Sequence, residues 1–209
     1  MISSTIEYYD SHTDELIERY DSADMSELHT IFDRYIQPGQ KVLDIGFGSG
    51  RDMLYLKGKG VDVFGIDASE AFVRHFKERH PSQKPIVFHS ILPDIALPEE
   101  HEHSFDAIYS VATWMHLPKE VHFKAIESMK HFLKTDSIVI LSYSYTSREN
   151  DPRFFEMLVP EQIENLFEVT GFRLIEEVCT ADGLGRDEVK WVTQVFNLSK
   201  GIIDLSKAK

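Results

Sequence analysis

A glycine-rich loop between an apolar run and a helical pattern constrains the fold of this chain more than any other feature. The apolar run is KVLDIGF at 41–47, the loop reads DIGFGSG at 44–50, and the helical pattern follows at 50–59. Glycines at such a junction let the backbone turn tightly and let a ligand approach the main chain. The loop therefore predicts an α/β fold with a ligand at the end of the first strand. A plain strand-to-helix turn is the alternative.

The rest of the chain continues the alternation of strands and helices. Further strands are predicted at 61–67, 85–90, 105–112 and 137–145, and helices at 69–78, 118–134 and 160–170. Apolar strands that alternate with amphipathic helices indicate a parallel sheet covered by helices on both faces. Two last strands, at 173–181 and 189–197, are joined through a short polar segment and indicate a hairpin-like ending.

The first forty residues carry much of the negative charge. They hold nine acidic and two basic residues, a net charge of −7, whereas the whole chain of 209 residues carries −13. One helix is predicted at 11–20, and a second begins at a capping box headed by Asp24 and ends before Pro38. We expect residues 1–40 to form a helical lid, residues 41–199 the core domain and residues 200–209 a polar tail.

Composition excludes several classes of function. A chain this acidic is repelled by nucleic acid and by anionic membrane surfaces. Its single cysteine, Cys179, can form neither an internal disulfide nor a metal-binding pair. No apolar run approaches the roughly 20 residues of a membrane-spanning helix, and the acidic first residues are unlike a signal peptide. We therefore expect a cytoplasmic monomer or homodimer with no metal, nucleic-acid or membrane partner.

Three charged residues around the loop favour one kind of ligand. A dinucleotide-binding loop needs a third glycine where Arg51 stands. Asp44 opposes a pyrophosphate but favours an ammonium group. Asp67 ends the second strand, where a carboxylate accepts hydrogen bonds from ribose hydroxyls; a helix N-terminal acid is the alternative. The pattern indicates a nucleoside with a cationic, amino-acid-like tail.

Four strings carry a family resemblance over about residues 8–196: VLDIGFGSGRD, VFGIDAS, FDAIYSVATWMHLP and TGFRLIEE. They resemble the class I S-adenosylmethionine-dependent methyltransferases, and among these the small bacterial enzymes with a GSGRD loop. The resemblance implies a three-layer α/β/α Rossmann-like sandwich. Its seven-stranded mixed sheet has the order 3-2-1-4-5-7-6, with the last strand antiparallel.

The resemblance also implies a set of cofactor contacts for S-adenosylmethionine. Gly46 and Gly48 lie against the methionine part, Asp67 holds the ribose and Ala68 flanks the adenine. The predicted cofactor-binding residues are Asp44, Gly46, Gly48, Arg51, Asp67, Ala68, Ile91, Leu92 and Ser110. Two departures stand out. Phe47 replaces a small residue, and the usual acid after the third strand is missing, which leaves the apolar faces of Ile91 or Leu92 for the adenine.

Residues beyond the fourth and fifth strands are candidates for the chemistry. His116 is the candidate general base, because its ordinary pKa is near 6.5 and it follows a strand end. The predicted substrate-binding residues are Tyr9, Tyr20, Trp114, Tyr143 and Trp191, with packing as the alternative for Tyr9, Tyr20 and Trp114. Arginines 148, 153 and 186 follow the fifth strand, where substrates of similar enzymes bind.

The sequence thus predicts a methyltransferase that acts on a small-molecule acceptor. Phe47 and the missing adenine-contacting acid leave open a protein that binds S-adenosylmethionine or S-adenosylhomocysteine without turnover. A protein or peptide acceptor is a further alternative. Nicotinamide-dependent oxidoreduction is disfavoured by Arg51 and Asp44.

Overall fold

The computed structural model describes residues 2–146, 148 and 151–198, so the predicted tail at 200–209 lies outside the described residues. Its sheet has seven strands in the order β3-β2-β1-β4-β5-β7-β6. The strands are β1 (Lys41–Ile45), β2 (Asp62–Asp67), β3 (Val87–His89), β4 (Phe105–Val111), β5 (Leu133–Ser144), β6 (Phe172–Thr180) and β7 (Trp191–Leu198). Strand β7 runs antiparallel to both of its neighbours, and the other pairs are parallel. The predicted strand order is confirmed.

Seven α-helices surround this sheet in the described part of the chain. They are α1 (Ile2–Ser11), α2 (Thr13–Asp21), α3 (Ser26–Tyr35), α4 (Arg51–Gly58), α5 (Glu70–Arg79), α6 (Lys119–Phe132) and α7 (Pro160–Val169). A short 3-10 turn, Trp114–His116, follows β4. The Ser69 hydroxyl caps α5 by accepting a hydrogen bond from the Phe72 amide at 3.1 Å, as expected for serine at that position.

Two hydrophobic cores lie on opposite faces of the sheet. Neighbouring strand residues point to opposite faces, and Val42 and Leu43 accordingly enter different cores. Helices α6 and α7 cover the core that contains Leu43, whereas α2 to α5 cover the core that contains Val42. The result is the predicted three-layer sandwich.

The N-terminal region differs from the sequence prediction in two ways. It contains three helices instead of two. Helix α1 was not predicted because its sequence has no cap signal and no clear apolar period. The Asp24 capping box does not form: Met25 is the N-cap of α3, and Asp24 Oδ1 accepts a hydrogen bond from the Ser26 amide at 3.0 Å. Glu27, the expected partner in the box, instead accepts from the Ala181 amide at 2.9 Å.

The glycine loop depends on backbone angles that side chains disfavour. Gly46, Gly48 and Gly50 have φ of 79°, 54° and 80°. A Cβ on Gly50 would lie 2.2 Å from Cε2 of Phe76, whose side chain is 2% exposed and therefore has little room to move. The loop is closely packed where α4 begins.

We expect Gly50→Ala to lower the free energy of unfolding by about 3 kcal/mol, from left-handed backbone strain and overpacking against Phe76. Urea denaturation measures this change. Gly58→Ala is the matched control, because Gly58 lies in α4 and an added methyl group would meet no packed neighbour within 4 Å; we expect it to change stability by less than about 1 kcal/mol. Equal effects at the two glycines would contradict the packing argument.

Candidate functional site

A cavity of about 340 Å³ opens at the carboxyl ends of β1, β2 and β4. Its floor is the glycine loop, and its other walls come from α1, α2, the loop that joins β6 to β7, and Arg148, Arg153 and Phe155. The volume lies within the range of small-molecule sites. In an open α/β sheet this edge is the usual ligand position.

Asp67 ties the glycine loop to the wall of this cavity. Its Oδ2 accepts a hydrogen bond from the Gly48 amide at 2.9 Å, and its Oδ1 accepts from the Ser69 amide at 2.8 Å. Burial raises the pKa of the Asp67 carboxyl to about 6, although both amide hydrogen bonds oppose the rise. Because each carboxylate oxygen can accept more than one hydrogen bond, Asp67 can also accept hydrogen bonds from the hydroxyl groups of a ligand in the cavity.

Asp44 and Arg51 also line the cavity. Burial, with Asp52 nearby, raises the pKa of Asp44 well above its usual range. Arg51 forms a bidentate pair with Asp52, at 3.1 Å from Nε to Oδ1 and 2.8 Å from Nη2 to Oδ2. Its Nη1 also donates to the Tyr20 carbonyl. Arg51 therefore fastens the end of α2 to the start of α4.

The remaining predicted cofactor residues form an apolar wall. Ala68, Ile91 and Leu92 line the cavity next to Asp67. Phe47 packs against Phe76 with ring centroids 5.4 Å apart, and its side chain is part of the core that contains Val42. Phe47 also lines the cavity, but its ring is buried in this core.

Tyr9 and His116 meet in the cavity, although they are 107 positions apart in the sequence. The Tyr9 hydroxyl lies 2.7 Å from Nε2 of His116, and Nδ1 of His116 lies 2.7 Å from the Phe154 carbonyl oxygen. A carbonyl oxygen only accepts, so Nδ1 carries the proton and the Nε2 lone pair faces Tyr9. Burial lowers the pKa of His116 to about 4. His116 is therefore a neutral imidazole at neutral pH, and its Nε2 lone pair is available to accept a hydrogen bond.

Three arginines lie at the end of the cavity next to Tyr9. Arg153 pairs with Asp151 at 2.8 Å, and its Nη1 lies 3.4 Å from the Tyr9 hydroxyl. Arg186 pairs with Asp182 at 2.6 Å. Arg148 lies over the Phe155 ring, with Cζ 4.6 Å from the centroid.

Two predicted substrate residues besides Tyr9 also reach the cavity, Tyr20 and Trp191. The Tyr20 ring stacks on Phe72 with centroids 6.2 Å apart. The Trp191 indole donates to Asp182 Oδ1 at 2.8 Å, which joins it to the Arg186 pair. Both rings are held in place at the cavity wall.

Three predicted site residues lie elsewhere. Ser110 is 1% exposed, and its hydroxyl donates to the Ile45 carbonyl at 3.0 Å, so it fastens β4 to β1 and does not line the cavity. Trp114 packs in the core against His122 and Phe167. Tyr143 is fully buried and donates to Gln194 Oε1 at 2.8 Å. Each of these side chains is turned inward between the layers, so the structure does not bring the three residues to the cavity.

The anchor of α1 has no counterpart among the residues predicted from the sequence. Asp10 Oδ1 accepts from the Ser69 hydroxyl at 2.6 Å and from the Ala71 amide at 3.2 Å, at the start of α5. Thr5 Oγ1 accepts from the Phe154 amide at 2.8 Å. These contacts join distant parts of the chain, so no local sequence pattern could have indicated them.

Neither a metal-binding cluster nor a membrane-spanning helix occurs among the described residues. No group of three His, Cys, Asp or Glu side chains among them is arranged to hold a metal ion. None of the described helices combines the length and apolar character needed to cross a membrane.

Comparison with known proteins supports a common family. Residues 42–136 match the family model of a methyltransferase domain. A phosphoethanolamine N-methyltransferase of Plasmodium falciparum (isolate 3D7) is 32% identical over 146 residues, which is 69% of this chain and 54% of that protein. The chain thus spans about half of that relative, and it covers smaller shares of the similar plant enzymes.

Two solved structures share the fold. An S-adenosylmethionine-dependent methyltransferase from Aquifex aeolicus has a TM-score of 0.66 and 20% identity, over 90% of this chain and 98% of that one. Phosphoethanolamine N-methyltransferase 2 of Haemonchus contortus, solved with phosphomonomethylethanolamine and S-adenosylhomocysteine, has a TM-score of 0.68 and 19% identity, over 83% of this chain and 52% of that one. With its glycine loop, its strand order and the match of residues 42–136 to a methyltransferase domain, the chain is similar to the class I S-adenosylmethionine-dependent methyltransferases.

Proposed function

We propose that the protein transfers a methyl group from S-adenosylmethionine to a small-molecule acceptor. The observation that carries this proposal is that one cavity contains both the loop-bound carboxylate of Asp67 and the Tyr9–His116 pair. The first is suited to a nucleoside and the second to a group that loses a proton.

The residues around Asp67 fit the cofactor. Gly46 and Gly48 present bare backbone at the cavity, and a Cβ on Gly46 would lie 2.1 Å from Thr113 Oγ1. We assign the ribose to Asp67, the methionine part to this loop and Asp44, and the adenine to Ala68 and the apolar wall beside it. When bound, the cofactor supplies an activated methyl group on its sulfonium.

The protein contributes alignment and proton acceptance. The lone pair on His116 Nε2 accepts the acceptor's proton, either directly or through the Tyr9 hydroxyl. Helices α1 and α2 act as the lid, since Tyr9 and Tyr20 on these helices line the cavity and Asp10 anchors α1 at α5. Closure by these helices excludes water from the transfer.

An amine is the acceptor class that we favour. Three relatives are named phosphoethanolamine N-methyltransferases, and the structurally similar Haemonchus contortus enzyme was solved with phosphomonomethylethanolamine. Phosphoethanolamine is therefore the first acceptor to test. Peptide acceptors are disfavoured because α1, α2 and the β6–β7 loop form walls of the cavity.

The test is calorimetry with S-adenosylhomocysteine, followed by transfer of labelled methyl groups from S-adenosylmethionine to a panel of small amines and peptides. We expect saturable cofactor binding and turnover on a small amine. Binding without turnover on any acceptor would favour a non-catalytic cofactor-binding protein. No binding at all would refute the proposal.

We further propose that the enzyme works in the cytoplasm as a monomer or homodimer, without nucleic-acid or membrane partners. The net charge of −13 supports this, because it opposes binding to anionic polymers and surfaces.

A further inference from the structure

The arginines beside the Tyr9–His116 pair differ in how their charge is balanced. Arg153 places two nitrogens on Asp151, at 2.9 Å from Nε to Oδ1 and 2.8 Å from Nη2 to Oδ2. Arg186 does the same with Asp182, at 2.9 Å from Nε to Oδ2 and 2.6 Å from Nη2 to Oδ1. Each of these two guanidiniums is paired with its own carboxylate.

Arg148 has no such partner among the residues that the structure describes. Its Nε is buried without a hydrogen bond there, and none of the ion pairs between described residues includes it. Burial lowers the pKa of Arg148, and the nearby Arg186 and Arg153 lower it further. A partly buried guanidinium whose buried Nε has no hydrogen bond and that has like charges beside it is stabilised by an anion.

Phe155 places this guanidinium close to the proposed reaction centre. Its ring centroid lies 4.6 Å from Arg148 Cζ, 5.0 Å from Arg153 Cζ and 4.4 Å from the His116 ring centroid. Arg148, Phe155 and His116 all line the same cavity. An acidic group at Arg148 would therefore be separated from the proton-accepting imidazole by about the width of one aromatic ring.

We propose that Arg148 determines acceptor specificity by binding a phosphate group on the acceptor. The inference rests on the proposed function, because it assigns the acceptor's acidic end to a residue in the same cavity. Arg153 and Arg186, held by their carboxylates, border this subsite and disfavour a cationic group there. A phosphate monoester suits it because guanidinium groups donate paired hydrogen bonds to phosphate oxygens.

The test measures binding by calorimetry to protein saturated with S-adenosylhomocysteine. Phosphoethanolamine, ethanolamine and inorganic phosphate are the three probes. We expect the wild type to bind phosphoethanolamine at least about tenfold more tightly than ethanolamine, since charge-assisted hydrogen bonds are worth that much or more. We expect Arg148→Gln to remove this advantage and leave the affinities for ethanolamine and S-adenosylhomocysteine within about twofold.

Two further variants separate a specific role from a general one. Arg148→Lys keeps the charge but not the paired donors, so we expect partial recovery of phosphoethanolamine binding. Arg173→Gln, at an exposed position on β6, is the matched control and is expected to bind all probes as the wild type does.

The outcomes distinguish this inference from the proposed function. Wild-type phosphoethanolamine affinity in Arg148→Gln, or equal affinity of the wild type for phosphoethanolamine and ethanolamine, would overturn the specificity role. Failure of the wild type to bind S-adenosylhomocysteine would instead overturn the proposed function. Arg148-dependent binding of inorganic phosphate, measured without the cofactor product, would still support the subsite in that case.

Discussion

His116→Asn is expected to lower kcat for methyl transfer by about 100-fold or more, the range in which general bases contribute. Asparagine keeps a polar side chain of similar reach but has no basic nitrogen for the acceptor's proton. Labelled methyl transfer to the acceptor that the wild type uses measures kcat and KM separately. We expect the loss mainly in kcat, because the imidazole accepts its proton in the transition state.

Tyr9→Phe tests the other half of the pair. It removes the hydroxyl that lies 2.7 Å from His116 Nε2, and we expect a smaller loss of kcat. Tyr8→Phe is the matched control, because the Tyr8 ring stacks on His12 with centroids 4.1 Å apart. If Tyr9 and His116 act on one proton path, the double variant is about as slow as His116→Asn alone. A kcat within about threefold of wild type in His116→Asn would show that no base is needed.

Asp67→Asn is expected to weaken S-adenosylhomocysteine binding by about 100-fold, since two hydrogen bonds to a charged group contribute about 3 kcal/mol. The amide has nearly the same shape as the carboxyl, so the loop contacts to Gly48 and Ser69 are disturbed less than in Asp67→Ala. Asp62→Asn is the matched control, because Asp62 is an exposed residue at the start of the same strand. Calorimetry at about pH 7.5 measures all three proteins, and equal affinities would refute the ribose assignment.

The pH dependence of cofactor affinity provides a second test of Asp67. Ribose hydroxyls donate to the ionised carboxylate, and burial raises the pKa of Asp67 to about 6. At about pH 5 roughly one tenth of the carboxyl groups are ionised, so we expect binding about tenfold weaker than at about pH 7.5. His116 does not titrate in this window, because burial lowers its pKa to about 4. The slope should be smaller in Asp67→Asn, where Asp44, whose pKa is also raised by burial, remains at the cavity.

The effect on folding has the opposite sign. Because the pKa of Asp67 is higher in the folded protein than the usual 3.8, folding is favoured while the carboxyl is protonated. That contribution is complete below pH 3.8 and is lost as the pH rises through about 6. Urea denaturation of the wild type and of Asp67→Asn measures this contribution as the difference between their free energies of unfolding. A difference that grows in favour of the wild type as the pH rises would contradict the raised pKa of Asp67.

The cofactor side of the site was largely predictable from sequence. Glycines 46 and 48 and Asp67 are placed by the strand ends that precede them, so local patterns were sufficient to predict their positions. The place of Ser110 on β4 did not reveal that its hydroxyl donates to the Ile45 carbonyl and that the residue lies away from the cavity. Trp114 and Tyr143 show the same difficulty: both are near strand ends, yet both are turned into the core.

The sequence alone determined the layered α/β fold and the position of the glycine loop, since these follow from apolar periodicity and backbone freedom within short segments. Only the tertiary structure brought Tyr9 to His116, across 107 positions, and placed Arg153 beside them. The physical reason is that such side-chain contacts depend on how α1 and the segment after β5 pack over the sheet edge. Packing of this kind leaves no periodic signal in the sequence. The same packing determines which side chains lie close enough to exchange a proton.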